Sequence, residues 1–154
     1  MIRPDRKLMV EQLDAKMEKL QVLKEIKVPS KGWIHAIRAA LNMSLAQLGK
    51  RLKKNPVTVQ EIEGREQNRT ITLKKLMEVG DALDLQLVYG FLPKGSSIEA
   101  MIDKRAQEVA RDIVMSTSHS MMLEEQENSE ERLEQAIKDR AERLKQEMPR
   151  YLWD

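Results

Sequence analysis

There is no cysteine in this 154-residue chain. Disulfides and thiolate chemistry are therefore excluded, and the composition suits a reducing cytoplasm. Aromatics are nearly as scarce, with two Trp, two Tyr and one Phe. Leu, Ile, Val and ten Met must do the packing. No apolar run approaches the length of a membrane span, and the N-terminus has no signal-peptide core. A Gly-rich phosphate loop is missing too. The two histidines, His35 and His119, lie far apart in sequence. In Ser118-His119-Ser120, neighbours on a helix would point apart, so no nucleophile and base pair up there. The Glu124, Glu125 and Glu127 cluster could hold a cation, but carboxylate-rich helix ends are usually just solvated. No enzyme activity, cofactor or metal site is expected.

What the chain has is charge, unevenly placed. The net charge of +2 conceals a division. Residues 31–75 carry ten Lys and Arg against three Glu, and residues 97–154 carry nine against fourteen acids. The first stretch suits phosphate and the second suits a basic partner.

The basic stretch contains Ser44 to Glu63, SLAQLGKRLKKNPVTVQEIE. Ser44 and Gln47 form a capping box at the start of a helix. Leu45, Leu48 and Leu52 give that helix an apolar face. Lys53 and Lys54 break the pattern. Asn55 caps a second helix, with Pro56 at its first position. Val59 and Ile62 face inward, leaving Val57, Thr58, Gln60 and Glu61 outward. Gly49 lets the second helix cross the first closely. This is the layout of a helix-turn-helix, whose second helix lies in the major groove. Lys50, Arg51, Lys53, Lys54 and Arg65 crowd its turn and ends and can sit on phosphates. Gln47, Asn55, Thr58 and Gln60 are polar candidates for phosphates or base edges. Val57 suits a thymine methyl, and Glu61 can accept from a cytosine amino group. A solvated charged face is the bland alternative. One such unit reads a short half-site, so a homodimer on a near-palindromic operator follows.

The fold class expected is mainly α. Residues 1–30 hold an N-terminal amphipathic helix and linker, with Met9, Leu13, Met17, Leu20, Leu23 and Ile26 spaced three or four apart over 6–27. Residues 31–95 form a five-helix domain. Trp33, Ile34, Ile37 and Leu41 line its first helix, and His35 is expected at the surface or partly satisfied. Gly64 to Thr70 reads as a loop, with Thr70 or Thr72 capping the next helix. Leu73, Leu76, Met77 and Val79 continue the core, Gly80 interrupts, and Ala82-Leu83 completes it. In 84–92, Leu85, Leu87, Tyr89 and Phe91 alternate as in a strand. A lone strand needs a neighbour, so dimerisation through these four residues is expected. The alternative is an extended tail packed on the helices. Residues 96–154 form a C-terminal helical extension. Ser96 and Glu99 read as a capping box, Ile98 to Ile113 as one apolar face, and Leu133 to Leu144 as another. Pro149 ends the last helix, and Trp153 is expected to pack.

Over Trp33 to Leu87 the chain resembles the phage-repressor-like helix-turn-helix family, the XRE class. The likeness rests on Leu45, Leu48, Leu52, Gly49 where the family favours Ala, the Val59 and Ile62 pair, and Glu63 closing the recognition helix. Lys53 stands where the family usually has Gly. Some antitoxin repressors resembling this chain dimerise through a shared strand.

Ser120-Met-Met-Leu-Glu124 resembles the inhibitory motif of antitoxins that silence Fic-domain toxins, which reads Ser or Thr, three residues, Glu, then Gly or Asn. Here Glu125 takes the last place. Fic enzymes transfer AMP from ATP, and the resemblance implies that Glu124 occupies the toxin arginine that holds the ATP γ-phosphate. Such an occupant removes the pairing that aligns ATP. Ser120, one turn earlier, would add a hydrogen bond. Across nearly its whole length the chain is similar to the family called mobile mystery protein A. That likeness is carried by Lys31-Gly-Trp-Ile-His-Ala-Ile-Arg38, Met43-Ser-Leu-Ala-Gln-Leu48, Leu85-Gln-Leu-Val-Tyr89, Ser118-His-Ser-Met121 and Leu152-Trp-Asp154. The family's usual genetic partner is a Fic-domain protein.

Three readings remain open from the residues. One is a cytoplasmic antitoxin that represses its own operator and inhibits a Fic-domain toxin. Another is a plain transcriptional regulator whose C-terminal helices only oligomerise. The last is an adaptor that borrows the fold without binding DNA.

Overall fold

A computed structural model describes residues 4–118 and 129–154. The chain is mainly helical, and among the described residues there is no strand. It divides into two compact units, residues 22–90 and residues 1–21 with 91–154. No described helix is long and apolar enough to cross a membrane.

The 22–90 unit contains four α-helices where five were expected, α2 (Trp33–Ala40), α3 (Leu45–Leu52), α4 (Pro56–Gln67) and α5 (Leu73–Ala82). Its core is Ile34, Leu48, Val59, Ile62, Val79 and Leu83. Ile37, Met43, Leu45, Leu52, Ile71 and Leu76 pack around it. Each fully buried aliphatic chain contributes about 1.5–3 kcal/mol. The helix starts are chemically explicit. Ser44 Oγ accepts from Gln47 N at 3.0 Å, while Gln47 Oε1 accepts from Ser44 N at 2.8 Å. Asn55 Oδ1 accepts from Thr58 N at 2.7 Å, and Thr72 Oγ1 accepts from Lys75 N at 3.1 Å.

The helix ends differ from the sequence expectation. Asn42, Lys53, Arg69 and Asp84 all have positive φ, and none is glycine. Gly64 and Gly80, which read as breaks, lie inside α4 and α5. Helix α4 therefore runs on to Gln67, where a loop was expected from Gly64. Leu41, Leu73 and Met77 are exposed and lie off the core. Trp33 is 44% exposed and so only flanks it.

The other unit holds α1 (Pro4–Lys19), α6 (Ile98–Ser118) and α7 (Ser129–Glu147). Ala106, Ala110, Ile137, Ala141, Leu144 and Leu152 form its core. Alanines four apart on α6 admit α7 closely. Three expectations are corrected here. The single helix over 6–27 ends at Lys19 and is followed by a separate 3-10 turn, Gln21–Glu25. The cap of α6 is Ser97, whose Oγ accepts from Ala100 N, and Asp14 of α1 accepts from Ile98 N and Glu99 N. The Ser96 and Glu99 box does not form these bonds. Trp153 is 54% exposed, and Leu152 is the fully buried residue of the final 3-10 turn, Arg150–Trp153.

Residues 85–92 adopt no regular structure. A strand exists only with a hydrogen-bonded neighbour, and a single copy of this chain supplies none there.

Two glycines give opposite expectations. A Cβ on Gly49 would lie 2.5 Å from the Lys54 carbonyl oxygen, a backbone atom that cannot swing away. The clash outweighs the roughly 1 kcal/mol gained in helix propensity. Gly49→Ala should lower stability by about 1–2 kcal/mol in urea titration. A Cβ on Gly64 meets nothing within 4 Å. Gly64→Ala should raise stability by about 1 kcal/mol. Equal effects at the two sites would contradict this crossing geometry.

Candidate nucleic-acid interface

The α3–turn–α4 unit is built by Gly49 and Lys53. Lys53 takes φ 57° and ψ 42°, the left-handed conformation that a glycine would supply freely. The Lys54 amide then donates to the Gly49 carbonyl at 2.8 Å. Leu48 and Val59 are fully buried, so the opposite face of α4 is turned outward.

On that face Val57 is 63% exposed, and Gln60 and Glu61 are also exposed. Thr58 is half-buried. Asn55 and Gln47 are exposed, but their side-chain oxygens are engaged as caps. Lys50, Lys53, Lys54 and Arg65 are exposed. Arg51 is exposed as well, with its Nη1 donating to the Ala82 carbonyl at 3.2 Å, which ties it to the end of α5. The α3 and α4 candidates therefore share one short helical unit. Ser120 and Glu124 lie outside the described residues.

Two lysines of α5, Lys74 and Lys75, lie outside the sequence-based set. Lys75 Nζ lies 2.9 Å from Glu78 Oε2. That hydrogen bond, with charge from Lys74 and Lys54, holds the Glu78 carboxyl below the usual carboxylate range. Lys54 of the turn and Lys74 and Lys75 of α5 thus act on one carboxylate. Their inclusion in the basic 31–75 stretch was the available signal.

Beneath the surface lies a polar cluster that periodicity does not reveal. Glu63 is buried on α4. Arg38 Nε donates to its Oε2 at 2.8 Å and Arg38 Nη2 to its Oε1 at 3.0 Å. His35 Nδ1 lies 3.0 Å from Oε1. Arg38 Nη1 also donates to the Met43 carbonyl at 2.9 Å, just ahead of α3. Burial pushes the Glu63 carboxyl pKa up, but the hydrogen bonds from Arg38 and His35 and their charges outweigh it and hold it low. The same hydrogen bond to Glu63, against the opposing effect of burial, raises the Arg38 guanidinium. His35 is therefore part of this cluster on α2. Among the described residues no group of three His, Asp or Glu could hold a metal ion.

No family model, curated protein or solved structure matches this chain.

The Glu63 cluster carries a pH signature. Its folded-state pKa lies below the ordinary 4.5. Its contribution is complete above the unfolded value and disappears as pH falls through the folded one. The stability gap between the native chain and Glu63→Gln should be constant near neutrality and shrink below about pH 4.5. Urea midpoints across that range provide the check. A gap that stays constant in acid would remove the charge from the account.

Proposed function

We propose that this chain is a sequence-specific DNA-binding autorepressor and the antitoxin of a toxin–antitoxin pair. The observation that carries the DNA arm is the exposed N-terminal half of α4, bracketed by Lys50, Lys53, Lys54 and Arg65. α4 enters the major groove. Val57, Thr58, Gln60 and Glu61 meet base edges there, while the lysines and arginines neutralise phosphates on either side. The phosphate contacts supply affinity and the base contacts supply choice of sequence.

The operator is near-palindromic because two copies bind it. Leu85, Leu87, Tyr89 and Phe91 pair across the two-fold axis as an intermolecular β-ribbon. The exposure of Leu85, Tyr89 and Phe91 in the single chain favours this reading.

The second arm rests on the sequence motif and the family resemblance. Ser120 and Glu124 bind a Fic-domain toxin, with the Glu124 carboxylate on the arginine that would hold the ATP γ-phosphate. AMP transfer stops because ATP is no longer aligned. The neighbouring acidic residues, among them Glu130, Glu131 and Glu134, suit a basic partner surface.

Operator affinity should fall steeply as salt rises, and the slope of log K against log salt should flatten by about 2 when Lys53 and Lys54 both become Ala. Fluorescence anisotropy across a salt series measures both. Affinity that ignores salt would count against the DNA arm. For the other arm, Glu124→Gly co-expressed with the Fic partner should release AMP transfer onto target proteins. Transfer that stays fully suppressed would show that Glu124 is not the inhibitory group.

A further inference from the structure

Helix α2 begins without a side-chain cap. The residue before it is Gly32, at φ 92°. The first amides of a helix are unsatisfied donors, and its N-terminus attracts negative charge. Here the carboxylate comes from a residue 33 positions away. Glu66, near the end of α4, accepts from Trp33 N at 2.8 Å through Oε2 and from Ile34 N at 2.9 Å through Oε1. Gly32 also leaves room for that carboxylate. A Cβ there would lie 2.7 Å from Glu66 Oε1.

Glu66 stands one turn beyond Glu63 on α4. Glu63 grips Arg38 near the far end of α2, and Glu66 grips the first turn of the same helix. Glu63 also meets His35, and Val59 and Ile62 pack with Ile34 in the core. To these contacts Glu66 adds a second carboxylate, one turn further along α4, that ties it to the first amides of α2. The residues proposed to read bases, Val57, Gln60 and Glu61, lie on the same helix about one and a half to two and a half turns earlier.

We propose that Glu66 is a positioning residue for sequence readout, acting through its double bond to the N-terminus of α2. The inference rests on the DNA-binding reading. Base-edge hydrogen bonds demand placement within about 0.5 Å, whereas attraction between lysines and phosphates tolerates a small swing of the helix. Losing Glu66 therefore harms discrimination between sequences and leaves general affinity for duplex intact. A residue that merely held the domain together would lower both in step with the folded fraction.

The test uses the full chain and a duplex that the unaltered protein selects from a random-sequence pool, compared with a scrambled duplex at the same salt. Glu66→Ala should reduce the ratio of selected to scrambled affinity by about tenfold or more, with scrambled-duplex affinity and its salt slope unchanged. Hydrogen exchange at the Trp33 and Ile34 amides should quicken in the same variant. Gly32→Ala, which crowds the carboxylate and strains the φ 92° backbone ahead of α2, should quicken exchange at the same two amides with Glu66 present. Glu66→Gln, which keeps an accepting oxygen, should recover part of the ratio and serves as the folded variant if Glu66→Ala does not fold. An unchanged ratio, in a folded variant whose two amides have lost protection, overturns the proposal. If the unaltered chain selects no duplex, the DNA-binding reading fails. Unchanged exchange at Trp33 and Ile34 in the folded Glu66 variants would separately overturn the cap.

Discussion

The approach of Gly49 to the Lys54 carbonyl sets the geometry on which the 22–90 unit depends. With no side chain at 49, the turn folds back tightly enough for the Lys54 amide to reach the Gly49 carbonyl. That closeness brings Leu48 and Val59 together in a fully buried contact. Once Val59 and Ile62 are committed inward, helical periodicity leaves Val57, Gln60 and Glu61 no direction but outward. A wider crossing would open space between Leu48 and Val59, and unfilled core volume costs about 24 cal/mol per Å³. The left-handed Lys53 is the local cost of that turn, roughly 1 kcal/mol for a residue with a Cβ. It is small against the burial it permits.

The carboxylates on α4 play a different part. Burying Glu63 with Arg38 is weak evidence for stability, since desolvating both ions offsets much of their attraction. What the pair supplies is direction. The guanidinium offers a planar fork that a carboxylate meets bidentately, and apolar side chains of similar volume would pack with less angular preference. Arg38 also reaches the Met43 carbonyl, so one side chain touches α2, α4 and the start of α3. Under the proposed function, reading base edges requires orientation more than it requires stability, which gives a physical reason for placing an ion pair beneath α4.

The starts of α3, α4 and α5 were legible because capping chemistry is local. Ser44, Asn55 and Thr72 each bond an amide three residues on, so their roles can be read in a four-residue window. The helix ends were not. Gly64 and Gly80 look like stops but sit inside helices, while the left-handed positions fall on Asn42, Lys53, Arg69 and Asp84. The outward set on α4 followed directly from Val59 and Ile62. The Glu63 and Glu66 contacts join residues 25 to 33 apart, and no periodicity connects such positions. Nor could a period of three or four show that Met9 and Leu13 would remain exposed on α1.

Charge and apolar exposure together explain why the proposed function needs a second copy. The 22–90 unit holds twelve Lys and Arg against seven Asp and Glu. Under that proposal the excess attracts duplex of any sequence, so it cannot by itself select an operator. Selection must come from the few side chains at the start of α4, which span only a short half-site. A second half-site multiplies that information only when the two readers are joined at a defined spacing. Residues 85–91 have the character such a joint requires. Val88 is 70% exposed and Phe91 84% exposed, and beyond the Leu85 amide, which donates to the Gly80 carbonyl, the segment pairs with no strand among the described residues. Apolar side chains clustered on one short unpaired segment are poorly placed in water. Pairing the segment with its own copy would cover them, satisfy the open backbone groups and set the distance between the two readers in one step.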